Sequence, residues 1–313
     1  MEVASSPLEG RAQNALSLLW REPGFAYLLN APAVLLIAAL VGGPLVASFI
    51  GSLESQQLRL GSVPNFVGLR NYSDLIGSRD FWDALATTGR FAAASVILIV
   101  VLGVAFALVL NEPFPGRGFV RAVVLVPWAI PPVVNGLLWL WIYDGHVGAL
   151  NGALLQLHVI DAYVSWLANR DPAVVVGALV FANVWKSVPF AVIVLLAALQ
   201  AIPLELYDAA RVDRAGPLQR FRHVTLPWLL HPLIVVLILE TMTAFQVFDI
   251  IYVLTGGGPG TTTTVLSWVA YRTAFKSLDT GHGDAYAYVL AIIQLLLAVI
   301  YLASLRSRGD VRQ

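Results

Sequence analysis

The stretch Pro203 to Pro232, PLELYDAARVDRAGPLQRFRHVTLPWLLHP, is a polar interruption between two long apolar stretches, about Pro172 to Leu204 and about Trp228 to Phe248. Glu205 to Val212 holds good helix formers. Asp208 sits near the start of that segment, where a carboxylate complements the helix dipole. Gly216-Pro217 is expected to end this helix, because glycine fits a C-cap and proline cannot continue the ladder. A second short helix, about Leu218 to Val224, then leads to Leu226-Pro227, where Pro227 fits the first turn of the next long helix. The pair has an apolar side (Leu206, Ala209, Ala210, Phe221) and an arginine-rich side. By pattern alone it is an amphipathic helix-turn-helix at a membrane surface, or an ordinary surface loop.

The rest of the chain fixes the solvent. Of 313 residues, 58% are hydrophobic and 12% charged, and the mean hydropathy is +0.77. A soluble domain is about 45–50% apolar and about 25% charged. One aqueous core cannot absorb the difference, since its surface still needs polar cover. A span needs about 20 apolar residues. Four charge-free windows qualify: Pro23 to Leu53 (span about Tyr27 to Ile50), Phe91 to Asn111, Ala122 to Tyr143, and Ala285 to Leu305. The two stretches flanking the polar interruption each hold one charge, Lys186 and Glu240. Six spans result. The first window is too long and begins too late for a signal peptide, and is read as retained. Ahead of it, Pro7 to Phe25 is mildly amphipathic and suits a membrane surface.

Six spans place both termini on one side. With the N-terminus inside, the cytoplasmic segments hold Arg11, Arg21, Arg117, Arg121, Arg211, Arg214, Arg220, Arg222, Arg306, Arg308 and Arg312. The outer loops hold Arg59, Arg70, Arg79, Arg90, Arg170, Arg272 and Lys276. Eleven against seven favours cytoplasmic termini by the positive-inside rule. Basic and acidic residues balance at 19 each, and there is no cysteine, which excludes disulfides and thiolate chemistry. A Walker A loop needs glycine before its lysine. The two lysines follow Trp185 and Phe275, so this chain has no P-loop.

The quoted stretch resembles the cytoplasmic coupling motif of the permeases of ABC importers. The match runs through Asp208-Ala209-Ala210, Asp213-Arg214-Ala215, Phe221 and Val224-Thr225-Leu226-Pro227. Two positions depart from the family pattern: Asp208 stands for glutamate, and Arg214 for the family glycine, with Gly216 nearby to supply the turn. Further elements are similar: Phe66 to Leu69 with Asn71-Tyr72, Gly116-Arg117-Gly118 with Arg121, Asn183-Val184-Trp185 with Pro189-Phe190, and Leu254 to Pro259. The last resembles a loop of the carbohydrate-uptake branch, on its MalF-like side. Its glycine run is expected to form a flexible outer turn rather than a phosphate cradle.

The resemblance implies an all-α polytopic membrane protein, a type I ABC importer permease with six transmembrane helices and a cytoplasmic coupling helix. Residues 1–26 are expected as a cytoplasmic segment, 27–305 as the transmembrane domain with its coupling loop at about 203–227, and 306–313 as a cytoplasmic tail. It implies a second, MalG-like permease, two ATP-binding cassette subunits that carry ATP and magnesium, and an external substrate-binding protein. No cofactor is expected on this chain. The implied ATPase-coupling residues are Asp208, Ala209, Ala210, Arg211, Asp213, Arg214, Ala215 and Gly216. The implied substrate contacts are Asn183, Lys186, Ser187 and Phe190 in the fourth span. In the fifth they are Glu240, Thr243, Ala244 and Val247, with Gln246 and Phe248 alongside. Each set follows an i, i+3, i+4, i+7 stripe and shares a helix face.

Lys186 and Glu240 stand out, because an intramembrane charge usually faces a cavity or a partner. A rise of 1.5 Å per residue places them roughly 20 Å below the outer end and roughly 18 Å above the inner end of their spans. Two readings follow. They form a salt bridge between spans four and five, or Lys186 faces the cavity and holds an anionic group, as glycerol-3-phosphate or a glycerophosphodiester would offer. The nine tryptophans suit aromatic belts, Asp249 is expected in solvent, and the five histidines lack metal-ligand spacing. A membrane enzyme would need a catalytic constellation that the pattern does not offer. An ion-coupled carrier would need no coupling helix.

Overall fold

The computed structural model describes residues 23–57 and 63–309. The amphipathic segment expected from Pro7 lies, up to residue 22, outside the described residues, as does Arg59. The chain opens with α1 (Pro23–Ile37), a π turn (Ala38–Gly42) and α2 (Gly43–Ser52). A short antiparallel pair, β1 (Glu54–Ser55) and β2 (Asn65–Phe66), precedes α3 (Arg70–Gly77) and α4 (Arg79–Asn111). Then come α5 (Arg117–Ala129), α6 (Pro132–Ile142), α7 (Ala149–Gln156) and α8 (Pro172–Gln200). The cytoplasmic-type connection is α9 (Leu204–Val212) and α10 (Pro217–Arg220), followed through a π turn (Phe221–Thr225) by α11 (Leu226–Phe245). The chain continues with α12 (Asp249–Leu254), α13 (Leu266–Tyr271), a π turn (Arg272–Lys276) and α14 (Thr280–Gly309).

Five helical runs are long and apolar enough to cross a membrane: Leu29–Ser52, Arg79–Asn111, Pro172–Gln200, Pro217–Phe245 and Thr280–Ala303. The third expected span, Ala122 to Tyr143, is not one helix. It is the pair α5 and α6, bent by 99°, and it makes a sixth span only when the two are counted together. The cause is local. A residue before proline avoids the α region, and Ile130 and Pro131 are extended, with ψ of 129° and 142°. Pro132 then occupies the first turn of α6, where its missing N–H costs nothing.

The packing centre is α4 against α8. Phe91, Ile99, Ala107 and Leu110 of α4 meet Leu179, Val192, Leu195 and Leu199 of α8, and Leu229 and Val236 of α11 close the cluster. Small residues set the approach: a Cβ on Gly103 would lie 2.8 Å from the Ala191 Cβ, the close contact that small residues permit between membrane helices. The outward side chains of α1, the π turn and α2, such as Leu36, Leu40 and Val46, are largely exposed, as a lipid-facing surface requires. Arg121 donates to the Leu110 carbonyl at 2.7 Å and so caps the end of α4.

The loops expected on the outer side are tied rather than loose. Asn71 is 2% exposed and donates through Nδ2 to the carbonyls of Ser52 and Glu54, both at 2.9 Å. The Tyr72 and Ser52 hydroxyls meet at 2.6 Å, and the backbone N–H of Thr280 donates to the Gln56 carbonyl at 3.1 Å. The glycine run after α12, expected as a flexible turn, is also pinned. The Thr264 hydroxyl donates to the Gly257 carbonyl at 3.0 Å and Thr263 to Gly258 at 2.8 Å. Gly257 has φ of +89°, and a Cβ there would overlap the Trp268 indole. The threonine run that follows the glycines supplies these hydroxyls, a side-chain reach that turn propensities do not register.

Asn71→Ala leaves two carbonyls of the first outer turn without their donor. Each orphaned buried group costs about 1–3 kcal/mol. The variant is expected to melt several degrees lower in detergent, measured by intrinsic tryptophan fluorescence.

Candidate functional site

Two interruptions of helix border one cavity. One is the bend at Ile130-Pro131, which starts α6 at Pro132. The other is Gln246 to Phe248, between α11 and α12, where Phe248 leaves the helical region at φ of −133°. Between them and α8 lies a cavity of about 230 Å³. Its walls are Pro132 and Asn135 from α6, Asn183, Lys186 and Ser187 from α8, and Thr243 with Gln246 to Ile250 from the second break.

The chemistry of the wall is mixed. The Thr243 hydroxyl donates to the Leu239 carbonyl at 2.8 Å, which leaves its oxygen as an acceptor toward the cavity. Gln246 gives its Nε2 to Gln294 Oε1 at 2.8 Å, which ties the cavity wall to α14. The Ser267 hydroxyl donates to the Val247 carbonyl and so satisfies backbone freed by the break. Among the described residues, the side chains of Asn183, Lys186 and Ser187 make no hydrogen bond and no ion pair within 4.0 Å. The wall therefore offers free amide, ammonium and hydroxyl groups, the Asp249 carboxylate, and the ring of Phe248.

Seven residues named from the sequence thus line one cavity: Asn183, Lys186, Ser187, Thr243, Gln246, Val247 and Phe248. Three do not. Phe190 is covered by α5, where Trp128 stacks on it at a centroid distance of 6.3 Å. Ala244 is 2% exposed and packs against Ala92 and Val96 of α4. Glu240 is 6% exposed, outside the cavity wall. The expected salt bridge is also missing: among the described residues no ion pair joins Lys186 to Glu240. A stripe of 240, 243, 244 and 247 wraps about a third of the helix, and its Glu240–Ala244 edge turns inward. Asp249, expected in solvent, is half-buried in the wall because the break swings it inward. Asn135 and Pro132 were not anticipated. The proline pair within an apolar window was the available signal.

The coupling segment is a V. A second cavity of about 430 Å³ lies between its arms, lined by Leu206, Ala209, Ala210 and Asp213 on one side and by Gln219, Arg220, His223 and Val224 on the other. The turn is made at Arg214 and not at Gly216. Arg214 has φ of +56°, whereas Gly216 is extended, with φ of −68° and ψ of 169°. The N–H of Ala215 donates to the Ala210 carbonyl at 2.9 Å, and that of Arg214 to Arg211 at 3.0 Å. This is a Schellman closure with arginine in the place usually held by glycine. Asp208 pairs with Arg211 at 2.9 Å, both about two-thirds exposed, so the pair adds little stability. Pro227 does not start a new helix either. The π turn Phe221–Thr225 carries α10 into α11 without a break, and the Tyr207 and Thr225 hydroxyls meet at 3.0 Å to hold α9 against it.

The family described as "Binding-protein-dependent transport system inner membrane component" matches residues 99–307. The chain belongs to this family. The permease is 41% identical over 293 residues to the trehalose/maltose transport system permease protein MalF of Thermococcus litoralis, covering 94% of this chain and 97% of that protein. It is 34% identical to the sulfoquinovosyl glycerol transport system permease protein SmoG of Agrobacterium fabrum, with 90% and 91% covered. Among solved structures, a bacterial ABC transporter that imports the acidic polysaccharide alginate shares the fold. The TM-score is 0.77 at 22% identity, with 95% of this chain and 99% of that chain covered. The matched region holds the whole coupling segment and every element of the 230 Å³ cavity. The permease accordingly has the type I importer fold: the expected helical membrane architecture stands, with its third span broken.

A left-handed backbone costs an L-residue about 1–2 kcal/mol, of which glycine is relieved. Arg214→Gly is therefore expected to stabilise the permease by about 0.5–1 kcal/mol, less glycine's own entropy. An upward shift in melting temperature and slower amide exchange at Ala215 would register it.

Proposed function

We propose that this permease is the MalF-like transmembrane subunit of an ATP-driven importer for a small neutral carbohydrate, a disaccharide being the best fit. The observation that carries this is the composition of the 230 Å³ cavity. Unpaired amides, hydroxyls and one aromatic ring suit sugar hydroxyls and a C–H face, and Lys186 shares the space with Asp249, which balances its charge. The trehalose/maltose relative, alike along nearly its whole length, supports the same substrate class.

In this reading Asn183, Lys186, Ser187, Thr243, Gln246 and Val247 form this subunit's half of the path. A second, MalG-like permease supplies the other half. An extracytoplasmic binding protein delivers the sugar, and two ATP-binding cassette subunits hydrolyse ATP with magnesium, since this chain has no P-loop and binds no cofactor itself. The permease lies in the cytoplasmic membrane with both termini inside. Asp208 to Gly216 is the lever. When the ATPases close, contact on α9 is passed to α11, and the cavity changes the side to which it opens. That shift requires unequal contact energy in the two states. Asp208 and Asp213 accept charge-assisted hydrogen bonds from the ATPase.

The test is ATP hydrolysis by the reconstituted complex, stimulated by binding protein loaded with maltose, trehalose, glycerol-3-phosphate or a glycerophosphodiester. Stimulation by a neutral sugar is expected. A response confined to the phosphorylated ligands would make Lys186 an anion contact and overturn the neutral assignment. Asp208→Ala is expected to lose sugar uptake while shifting stability by no more than about 0.5 kcal/mol, as surface substitutions do. Full uptake by that variant would remove Asp208 from the lever.

A further inference from the structure

Asn135 is the polar group in the cavity wall that the preceding assignment leaves without a role. It is 2% exposed, and its Oδ1 is buried with no hydrogen-bond partner. Nor does its side-chain amide make any other hydrogen bond among the described residues. Its backbone is accounted for, since its N–H donates to the Pro131 carbonyl at 2.9 Å. A buried amide in this condition is expensive. A leucine of similar size would fill the same space without the penalty, so packing does not explain the residue.

Its position does. The bend at Ile130-Pro131 starts α6 beside the cavity, and Asn135 lies in the first turn, across from Asn183, Lys186 and Ser187 of α8. We propose that Asn135 is a substrate-contacting residue, in which one side-chain amide accepts a hydrogen bond from one sugar hydroxyl and donates to its neighbour. The third span then supplies a wall of the binding site, and its break exists to present this amide. The assignment rests on the importer reading. One rival is internal: Trp139, one turn further along α6, has a buried Nε1–H that is also unpaired. Were the two side chains to bond each other in another state of the transporter, Asn135 would be structural.

The experiment uses the complete complex in proteoliposomes with its binding protein, and measures ATP-dependent uptake of maltose and trehalose. Asn135→Leu is expected to lower the uptake rate at saturating binding protein by about tenfold, the loss of one buried hydrogen bond, while the melting temperature of the complex stays equal or rises. Asn135→Gln, which keeps the amide, is expected to recover part of the rate. Trp139→Phe, which removes only the indole N–H, is expected to keep most of it. Wild-type uptake by Asn135→Leu would overturn the proposal, as would a fall in rate accompanied by a lower melting temperature and matched by Trp139→Phe. Failure of the wild-type complex to take up either sugar would instead refute the disaccharide reading on which the proposal rests, and the role assigned to Asn135 with it.

Discussion

Hydrocarbon offers no hydrogen-bond partner to a backbone amide, and this one condition governs where the chain is allowed to leave the helix. The two breaks described above border the same cavity, and each recovers hydrogen bonds from nearby groups. At the second, Gln246 N–H returns to the carbonyls of Met242 and Thr243, and Ser267 takes the Val247 carbonyl. At the first, Pro132 removes one donor and Asn135 N–H finds Pro131. The irregular backbone thus gathers at the cavity, and polar side chains gather with it. Elsewhere, small residues such as Gly103 bring α4 onto α8.

Much of this was legible in the sequence. Charge-free windows located the spans because desolvating an ionised side chain is costly enough to leave a mark in composition. The motif around Asp208 located the coupling segment, and seven of the cavity residues followed from the family resemblance. The rest depended on neighbours. A hydropathy window averages over Ile130-Pro131-Pro132 and cannot see that three residues turn a span through a right angle. Depth along two helices permitted Lys186 to meet Glu240, yet contact also requires the right azimuth, and that is set by how α11 rolls against α4. The same roll takes Ala244 out of the cavity, while α5 covers Phe190.

The turn of the coupling segment shows a different limit. Residue preferences favoured Gly216, whose lack of a Cβ makes a left-handed backbone inexpensive. The structure places that backbone at Arg214, because the helix end fixes the position: one residue after the C-cap Asp213, two carbonyls of the last turn need closing. The hydrogen bonds chose the site and arginine bears the strain. Gly216 is left to begin α10, with its N–H donated to the Gln219 side chain at 2.8 Å.

The uninterrupted run from Pro217 to Phe245 has a mechanical meaning. Its 29 residues make a rod roughly 43 Å long at 1.5 Å per residue. One end carries the V of the coupling segment, clamped by Tyr207 and Thr225, and the other ends one residue before the break that walls the cavity. The run passes through the π turn Phe221–Thr225 and Pro232 without leaving the helical path. A tilt of about 5° pivoted at the coupling end displaces the far end by roughly 4 Å over that length, more than the diameter of a water molecule. In the proposed cycle, the aperture of the site and the posture of the lever are two readings of a single angle.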